Sequence, residues 1–572
     1  FLAPVSQGKG GAEGQLVLTA SKMTNSSGPV EDLAHTPAER ERAAAAADSK
    51  AAVPTLEEEA RLFAEAEELQ IGSGGGHMIV VGAGLVGTLC ALVLLRKGYK
   101  VHVFERYPDI RSIPSAGRSI NLSVTSRGLR AIKALGGSLY DDILALATHV
   151  RGRIIHMPDG GVLFQRYGKD DTEYNHSISR IDLNKFLISE AAKEGAQFHF
   201  DHALCESSQF AGDGPVGCTL HFLQGHGEKQ RRLRVVAACP VIACDGAGSR
   251  VRSSLRKAGL ITYTEELLPR GYKEVLFPNP GEKHFGTKEE DGEACNGRYG
   301  LHIWPRGDHM LMALANRDGS FTGTVYLENE GEESFAAFDD TAEGRERCRK
   351  FCEKYYSEAA PLVGGTDELV RQIVTNPNGI LGTVRTSRWA IDGRVLLIGD
   401  SCHAMVPFFG QGCNCGFEDV YWLSKLLDQH CDPKIGGDFA ACFAAVEKER
   451  KPNAEAICDM ALENFIEMRD KTGDVTFQAM KKLENKLEQA LPGKFRSRYA
   501  MVCYGGEGNV SYANAKTLGI VQAKILERLC AGAGVDGGTG GEIDIAEVER
   551  IIDDELIPLQ KELGVDLSTI KH

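Results

Sequence analysis

Hydrophobic and polar positions fall into a clear order after residue 77. Met78–Val81 is a short apolar run, Leu85–Lys97 carries apolar residues at helical spacing, and Lys100–Phe104 is a second run. This succession predicts strand, helix, strand, the opening of a parallel α/β unit. The pattern then predicts a helix over Asn184–Glu194 with Asp182 as its cap. Short alternating runs fill 196–247 and end in a buried strand at Val241–Cys244. Residues 256–385 read as strand-rich, as in His302–Trp304, Met310–Ala315 and Thr322–Leu327, with a helix at Glu343–Tyr356. A buried strand (Val395–Ile398) and a helix (Gly416–Gln429) follow, and 436–530 reads as helical.

The uncharged stretch Met78–Leu95 is 18 residues long, enough to reach the membrane-spanning threshold. It contains Gly82, Gly84 and Gly87, and Arg96 and Lys97 follow at once. Glycines so placed fit a buried strand–turn–helix better. With no other stretch near that length, no transmembrane segment is expected and the chain reads as soluble. The first 76 residues are rich in Gly, Ser, Ala and Glu, and predict a disordered or weakly helical arm. Within it Leu62, Phe63, Ala66 and Leu69 would share one side of a helix over Glu57–Leu69. Residues 531–572 read as a Gly-rich linker and an acidic amphipathic tail, Ile543–Leu563.

Composition narrows the function classes. Lys+Arg 65 against Asp+Glu 79 gives a net charge of −14, which argues against nucleic acid or an anionic membrane as partner. The 16 cysteines lack zinc spacing and form no dense disulfide pattern, so a reducing compartment and no metal are expected. Glycine is in excess at 65 of 572, which fits backbone brought close to a ligand.

Three motifs carry chemistry. Gly82-x-Gly84-x-x-Gly87 lies between the first strand and helix, where free N–H groups can meet a pyrophosphate. Glu105 ends the next strand, the usual place for an acid on a dinucleotide ribose. Asp245-Gly246-Ala247-Gly248 follows the strand ending at Cys244; taken alone it is an ordinary Asp-Gly turn. Gly399-Asp400-Ser401-Cys402-His403 follows a third strand and precedes Gly410-Gln411-Gly412-Cys413-Asn414. An Asp at a strand end can bond a ribityl hydroxyl, and glycine-rich backbone can lie against an anionic flavin edge. His403, flanked by small residues and without a nucleophile partner, reads as structural.

In this order the motifs resemble the class A flavoprotein aromatic hydroxylases, with the para-hydroxybenzoate hydroxylase fold. Arg118–Ser123, Arg151–His156, Leu301–Arg306, Pro407–Gly412 and Asn464–Arg469 are similar to the kynurenine-hydroxylating members, and the likeness runs from about Met78 to about Met501. The resemblance implies an α/β fold in which an FAD-binding Rossmann-like domain is interleaved with a mostly antiparallel substrate sheet, plus C-terminal helices. Its parts would be the arm at 1–76, the FAD domain at 77–255 and 386–435, the substrate sheet at 256–385, helices at 436–530 and the tail at 531–572.

The resemblance also implies residue roles. Gly82, Gly84, Val86, Gly87, Phe104, Glu105, Arg106, Tyr107, Ser123, Arg180, Leu204, Asp245, Asp400, Gly412, Cys413 and Asn414 would contact FAD. Arg250 departs from the family pattern, which often has a small residue there. Arg153, Tyr167, Asn464 and Tyr499 would hold the substrate carboxylate, while Pro407, Phe408 and Phe409 would line the ring end of its pocket. The substrate would be L-kynurenine, with O2 and a transiently bound NADPH as co-substrates. No catalytic acid or base is expected, because the substrate's amino group activates its own ring. A monomer or weak dimer, cytoplasmic and without nucleic acid partners, would follow. Animal members anchor to mitochondria through an apolar C-terminal segment. The corresponding region here, Lys516–His572, is too polar to span, which leaves partner-mediated mitochondrial association as the alternative. Two other readings stand beside this one: a related hydroxylase acting on a different aromatic acid, and a non-catalytic flavin-binding scaffold.

Overall fold

In a computed structural model, the described residues are 61–72, 76–113, 121–210, 217–225, 230–278, 297–434, 436–467, 475–506, 510–532 and 544–570. Residues 1–60 of the expected arm, Arg118–Ile120, Met468–Arg469 and the glycine-rich stretch 533–543 lie outside them.

A six-stranded sheet forms the centre. Its order is Ala390–Ile391, Val395–Leu397, Val241–Ala243, His77–Val81, Lys100–Phe104 and Gln197–His199. All neighbours are parallel except the first pair, which forms a hairpin. The strands that precede the three glycine-bearing motifs are therefore adjacent, and all three motifs emerge at their carboxyl ends, where open α/β sheets bind ligands. Helices Leu85–Arg96 and Gly412–His430 pack together beside this sheet, burying Leu89, Leu92, Val420 and Leu423.

A seven-stranded sheet runs Gly379–Thr386, Tyr263–Phe277, Phe321–Glu328, His309–Ala315, Gly300–Arg306, Gly152–His156, Val162–Arg166. It is antiparallel except where Gly300–Arg306 meets Gly152–His156. Two of its strands thus come from within the first glycine-motif domain, the interleaving that the resemblance implies. Helices Ala342–Tyr355, Ala360–Val363 and Thr366–Thr375 cover one face over Val275, Trp304 and Leu311, with Phe351 contributed by the first helix.

Several expectations need correction. Glu67–Ile71 is a strand, paired in parallel with Arg231–Ala237, and neither disordered nor helical. Leu69 and Ile71 are two apart and turn inward together, while Glu68 pairs with Arg234. Phe63 is buried in a stack with His221, ring centroids 4.4 Å apart. The helix expected from Asn184 starts at Arg180, and its cap is Ser179, which accepts from the Asp182 N–H. The helix expected from Gly416 starts four residues earlier, at Gly412. The amphipathic tail, by contrast, is helical as its pattern suggests: helices Ile545–Glu555 and Ile557–Glu562 dock with Val548, Ile552 and the intervening Leu556 in the main core. No helix of the described residues is long and apolar enough to cross a membrane.

Imidazoles buried in the sheets set an acid limit. Burial pushes His302 down to about 3 and His156 down to about 4. They bond each other at 2.9 Å, and His156 stacks on Trp304 at 4.2 Å. Protonation favours the unfolded chain, where histidine titrates near about 6.5. Their stabilisation is complete above about pH 6.5 and is lost as pH falls toward about 4. Melting temperature should drop over that window, and His156→Phe should flatten the drop; an identical pH profile in the variant would contradict this.

Candidate active site

Gly82 takes φ +100°, and its N–H donates to the Phe104 carbonyl at 2.7 Å. A Cβ at Gly87 would stand 2.0 Å from the Gly82 oxygen, so the turn closes only on glycine. At Gly84, the N-cap of helix Leu85–Arg96, a Cβ would meet nothing within 4 Å. This leaves an open hollow over the helix N-terminus, where N–H groups favour a pyrophosphate. The Glu105 carboxylate is fixed at the rim, accepting from the N–H of Ala83 (2.7 Å) and of Tyr107 (2.9 Å). Phe104 stacks on His199 and Phe222, and the Arg106 guanidinium lies over the Tyr107 ring. Leu204 is buried in the adjoining four-stranded sheet. The chain beside it is tied to Glu105 by the His202 N–H on the Glu105 carbonyl, 2.8 Å.

Val86 joins the first motif to the third: Cβ atoms at Gly399 and Gly416 would lie 3.2 and 2.6 Å from its side chain. Asp400 is exposed at the end of strand Val395–Leu397. Gly412, Cys413 and Asn414 form the first turn of their helix, a second N-terminus, and a Cβ at Gly412 would lie 3.9 Å from Met405. Burial pushes the Cys413 thiol up to about 12, with the Arg180 cation opposing and Asp400 adding to the shift. Those three residues are therefore neighbours, and the exposed Arg180 offers a cation beside the cleft.

Two candidates serve the scaffold with their side chains. Asn414 accepts from the Thr125 N–H (2.8 Å) and donates to the carbonyls of Ser123 (2.8 Å) and Gly410 (3.0 Å). It staples the helix to strand Asn121–Val124, which carries Ser123. Asn414→Ala strands a buried N–H, which costs about 1–3 kcal/mol. A matching fall in denaturation midpoint is expected, with weaker FAD retention. Ser249 caps helix Arg250–Lys257, and Asp245 supports it, accepting from Ser249 Oγ (2.6 Å) and the Val251 N–H (3.1 Å). Arg250 pairs with Glu206 at 2.7 Å. His403 is buried against Asp419 at 2.6 Å; burial opposes its charge, but Asp419 holds its pKa well above the usual value. Cys415 lies beside them, yet the Asp419 carboxylate also accepts from Arg450 at 2.8 Å, so this cluster is an ion-pair network.

The residues expected at the substrate converge. Tyr167 and Tyr499 stack with ring centroids 4.7 Å apart. The Arg153 guanidinium lies 5.7 and 5.5 Å from their centroids. Its Nε is buried with no hydrogen-bond partner among the described residues, a donor directed at no protein acceptor. Burial disfavours its charge, but Tyr167, Tyr499 and Glu467 outweigh this and raise its pKa. Burial holds both tyrosine hydroxyls above their usual range, hence neutral. Phe409 stacks near Tyr499 at 5.8 Å, and Phe408 packs on Phe465 and Tyr326. Asn464 donates to the Phe408 carbonyl at 2.7 Å, so its amide fixes the Pro407–Phe409 turn. Pro407 lines an open cleft with Asp400, Met405, Tyr272 and Tyr326.

Sequence reading missed Asn175, whose amide donates to the Tyr499 hydroxyl at 2.8 Å, and Tyr272 and Tyr326 in the cleft. No motif marks them. Glu467 lay within the stretch Asn464–Arg469 but was given no role.

The FAD binding domain family matches residues 77–461. A curated kynurenine 3-monooxygenase of Myxococcus xanthus is 38% identical over 486 residues, covering 84% of this chain and 96% of that protein. That of Flavobacterium johnsoniae is 36% identical, covering 79% and 93%. The chain belongs to the kynurenine 3-monooxygenase family. Solved structures support the fold. 2-Methyl-3-hydroxypyridine-5-carboxylic acid oxygenase aligns with TM-score 0.52 at 19% identity, over 73% of this chain and 97% of that one. PqsL, a probable FAD-dependent monooxygenase from Pseudomonas aeruginosa, aligns with TM-score 0.51 at 18% identity, over 69% and 97%. Within the kynurenine 3-monooxygenase family, the chain is an FAD-dependent aromatic monooxygenase.

Proposed function

We propose that the chain hydroxylates L-kynurenine to 3-hydroxykynurenine, consuming NADPH, a proton and O2 and releasing NADP+ and water. The observation that carries this reading is Arg153 beside two stacked neutral tyrosines, its buried Nε without a hydrogen-bond partner among the described residues. A planar fork of donors suits a carboxylate, and hydroxyl donors complete its shell. L-Kynurenine presents an amino-acid carboxylate at one end and an aminophenyl ring at the other.

The hollow at Gly84 fits the FAD pyrophosphate, Glu105 its ribose, and Arg106, Tyr107 and Leu204 the adenosine end. Asp400, Arg180 and the first turn at Gly412–Asn414 fit the ribityl and flavin end. Bound FAD supplies the redox and oxygen-activating chemistry. The chain's own residues bind and orient. Arg153 anchors the carboxylate, Tyr167 and Tyr499 donate to it, and Asn464 holds the Pro407–Phe409 turn against the ring. Phe408 and Phe409 keep water from the reacting carbon. The aniline nitrogen activates the ring, so no side chain has to act as a strong base.

A panel of L-kynurenine, anthranilate and 4-hydroxybenzoate tests the substrate. L-Kynurenine alone should strongly stimulate NADPH oxidation. Equal stimulation by an acid lacking the amino-acid side chain would point to a different aromatic substrate.

A further inference from the structure

Arg496 is among the most deeply buried arginines of the described residues, and nothing in the FAD or substrate chemistry uses it directly. It is 1% exposed. Its Nη2 donates to both oxygens of Glu173, at 2.8 and 2.7 Å, and its Nε donates to Glu488 at 2.8 Å. Both carboxylates are buried. These three charges join the two segments that carry the stacked tyrosines.

On one side, Glu173 closes the turn that follows Tyr167. Its carboxylate accepts from the Lys169 N–H at 2.9 Å, and its side chain packs so tightly on Gly168 that a Cβ there would come within 2.2 Å. On the other side, Arg496 is three residues before Tyr499. Ser497 caps helix Arg498–Tyr504 by accepting from the Ala500 N–H at 3.1 Å, and its own N–H donates to Glu488 at 3.3 Å. The Arg496 carbonyl accepts from Gln522 at 2.9 Å, and the Lys494 carbonyl from Gln560 of the docked tail at 2.8 Å. The loop before Tyr499 is thus fixed from the helical region, and the turn after Tyr167 is held to it by the Arg496 fork, with the Asn175 amide on the Tyr499 hydroxyl as a second tie.

We infer that Arg496 is a positioning residue for substrate binding: its fork on Glu173 holds Tyr167 in register with Tyr499, so that both hydroxyls converge where Arg153 meets the carboxylate. The inference rests on the proposed kynurenine reading. A lysine would keep the charge but could not bond both Glu173 oxygens and Glu488 from one plane. The effect should fall on substrate affinity, because the hydrogen-bond partners of Arg496 among the described residues, Glu173, Glu488 and Gln522, are none of those expected at FAD or the ring end.

The test uses the full-length FAD-loaded protein and two variants, Arg496→Lys and Glu173→Gln. Glu173→Gln keeps the size and shape of the side chain but removes its charge and turns one of the two acceptor oxygens into a donor, and it carries the test alone should Arg496→Lys fail to fold. Each should raise KM for L-kynurenine about tenfold while kcat at saturation stays within about twofold and FAD content is unchanged. A purely structural role would lower the melting temperature and leave KM alone. FAD-replete Glu173→Gln with wild-type KM would overturn the positioning role. An unaltered chain that does not respond to L-kynurenine would instead overturn the functional reading beneath it.

Discussion

Arg153→Ala is expected to raise the KM for L-kynurenine by roughly 30-fold to several thousand-fold while FAD stays bound. Removing a charged, hydrogen-bonded partner from a buried site costs about 2–5 kcal/mol, and about 1.4 kcal/mol is tenfold. The loss should fall mainly on substrate affinity, because the Arg153 Nε makes no hydrogen bond within the described residues and the Tyr167–Tyr499 stack does not depend on it. Arg153→Lys should recover only part of the affinity, since an ammonium lacks the planar fork. Steady-state NADPH oxidation against L-kynurenine concentration reads both variants. An unchanged KM in Arg153→Ala would remove Arg153 from the substrate site.

Gly84→Val should abolish FAD binding and leave the polypeptide folded. Gly84 sits at φ −70°, ψ −176°, which any residue adopts, and its Cβ direction is open. Branched carbons there would occupy the hollow over the helix N-terminus and hold phosphate oxygens away from the N–H groups. A weakening of at least about 100-fold, near 3 kcal/mol, is expected. Gly87→Val should behave differently, because its Cβ would collide with the Gly82 carbonyl at 2.0 Å and so disturb the sheet–helix packing as well. Absorbance near the flavin bands and the melting temperature of the cofactor-free proteins separate the two. Full FAD occupancy in purified Gly84→Val would contradict the placement of the pyrophosphate.

Much of the fold was legible because its periodicities are strong. The runs at Met78–Val81, Val241–Cys244 and Val395–Ile398 read as buried strands, and they became neighbours in one parallel sheet. The glycine motifs at their ends then had to meet. Element starts were less legible. Gly412, Cys413 and Asn414 are weak helix formers, yet they open a helix because Asn414 is held by strand Asn121–Val124. Arg180 opens another because Ser179, and not Asp182, provides the cap. The strand Glu67–Ile71 was hidden in an acidic, low-hydrophobicity stretch, since its partner strand lies far along the chain.

The site divides the same way. Arg153, Tyr167, Asn464 and Tyr499 stand out through short stretches of family likeness; the structure brings Arg153, Tyr167 and Tyr499 together and sets the Asn464 amide on the Phe408 carbonyl. Asn175 and Arg496 act through partners 324 and 323 residues distant, which no local pattern reveals. Asn414 and Asp245 are expected at the cofactor, and their side chains also hold neighbouring backbone, at Thr125 and Val251, which no motif reveals.

The most direct test of the central claim supplies the FAD-loaded chain with NADPH, L-kynurenine and isotopically heavy O2, and follows the product by mass spectrometry. One heavy oxygen atom should appear on the ring carbon ortho to the amino group, with about one NADPH consumed per product. NADPH oxidation with no oxygenated kynurenine, or with oxygen drawn from water, would contradict the assignment.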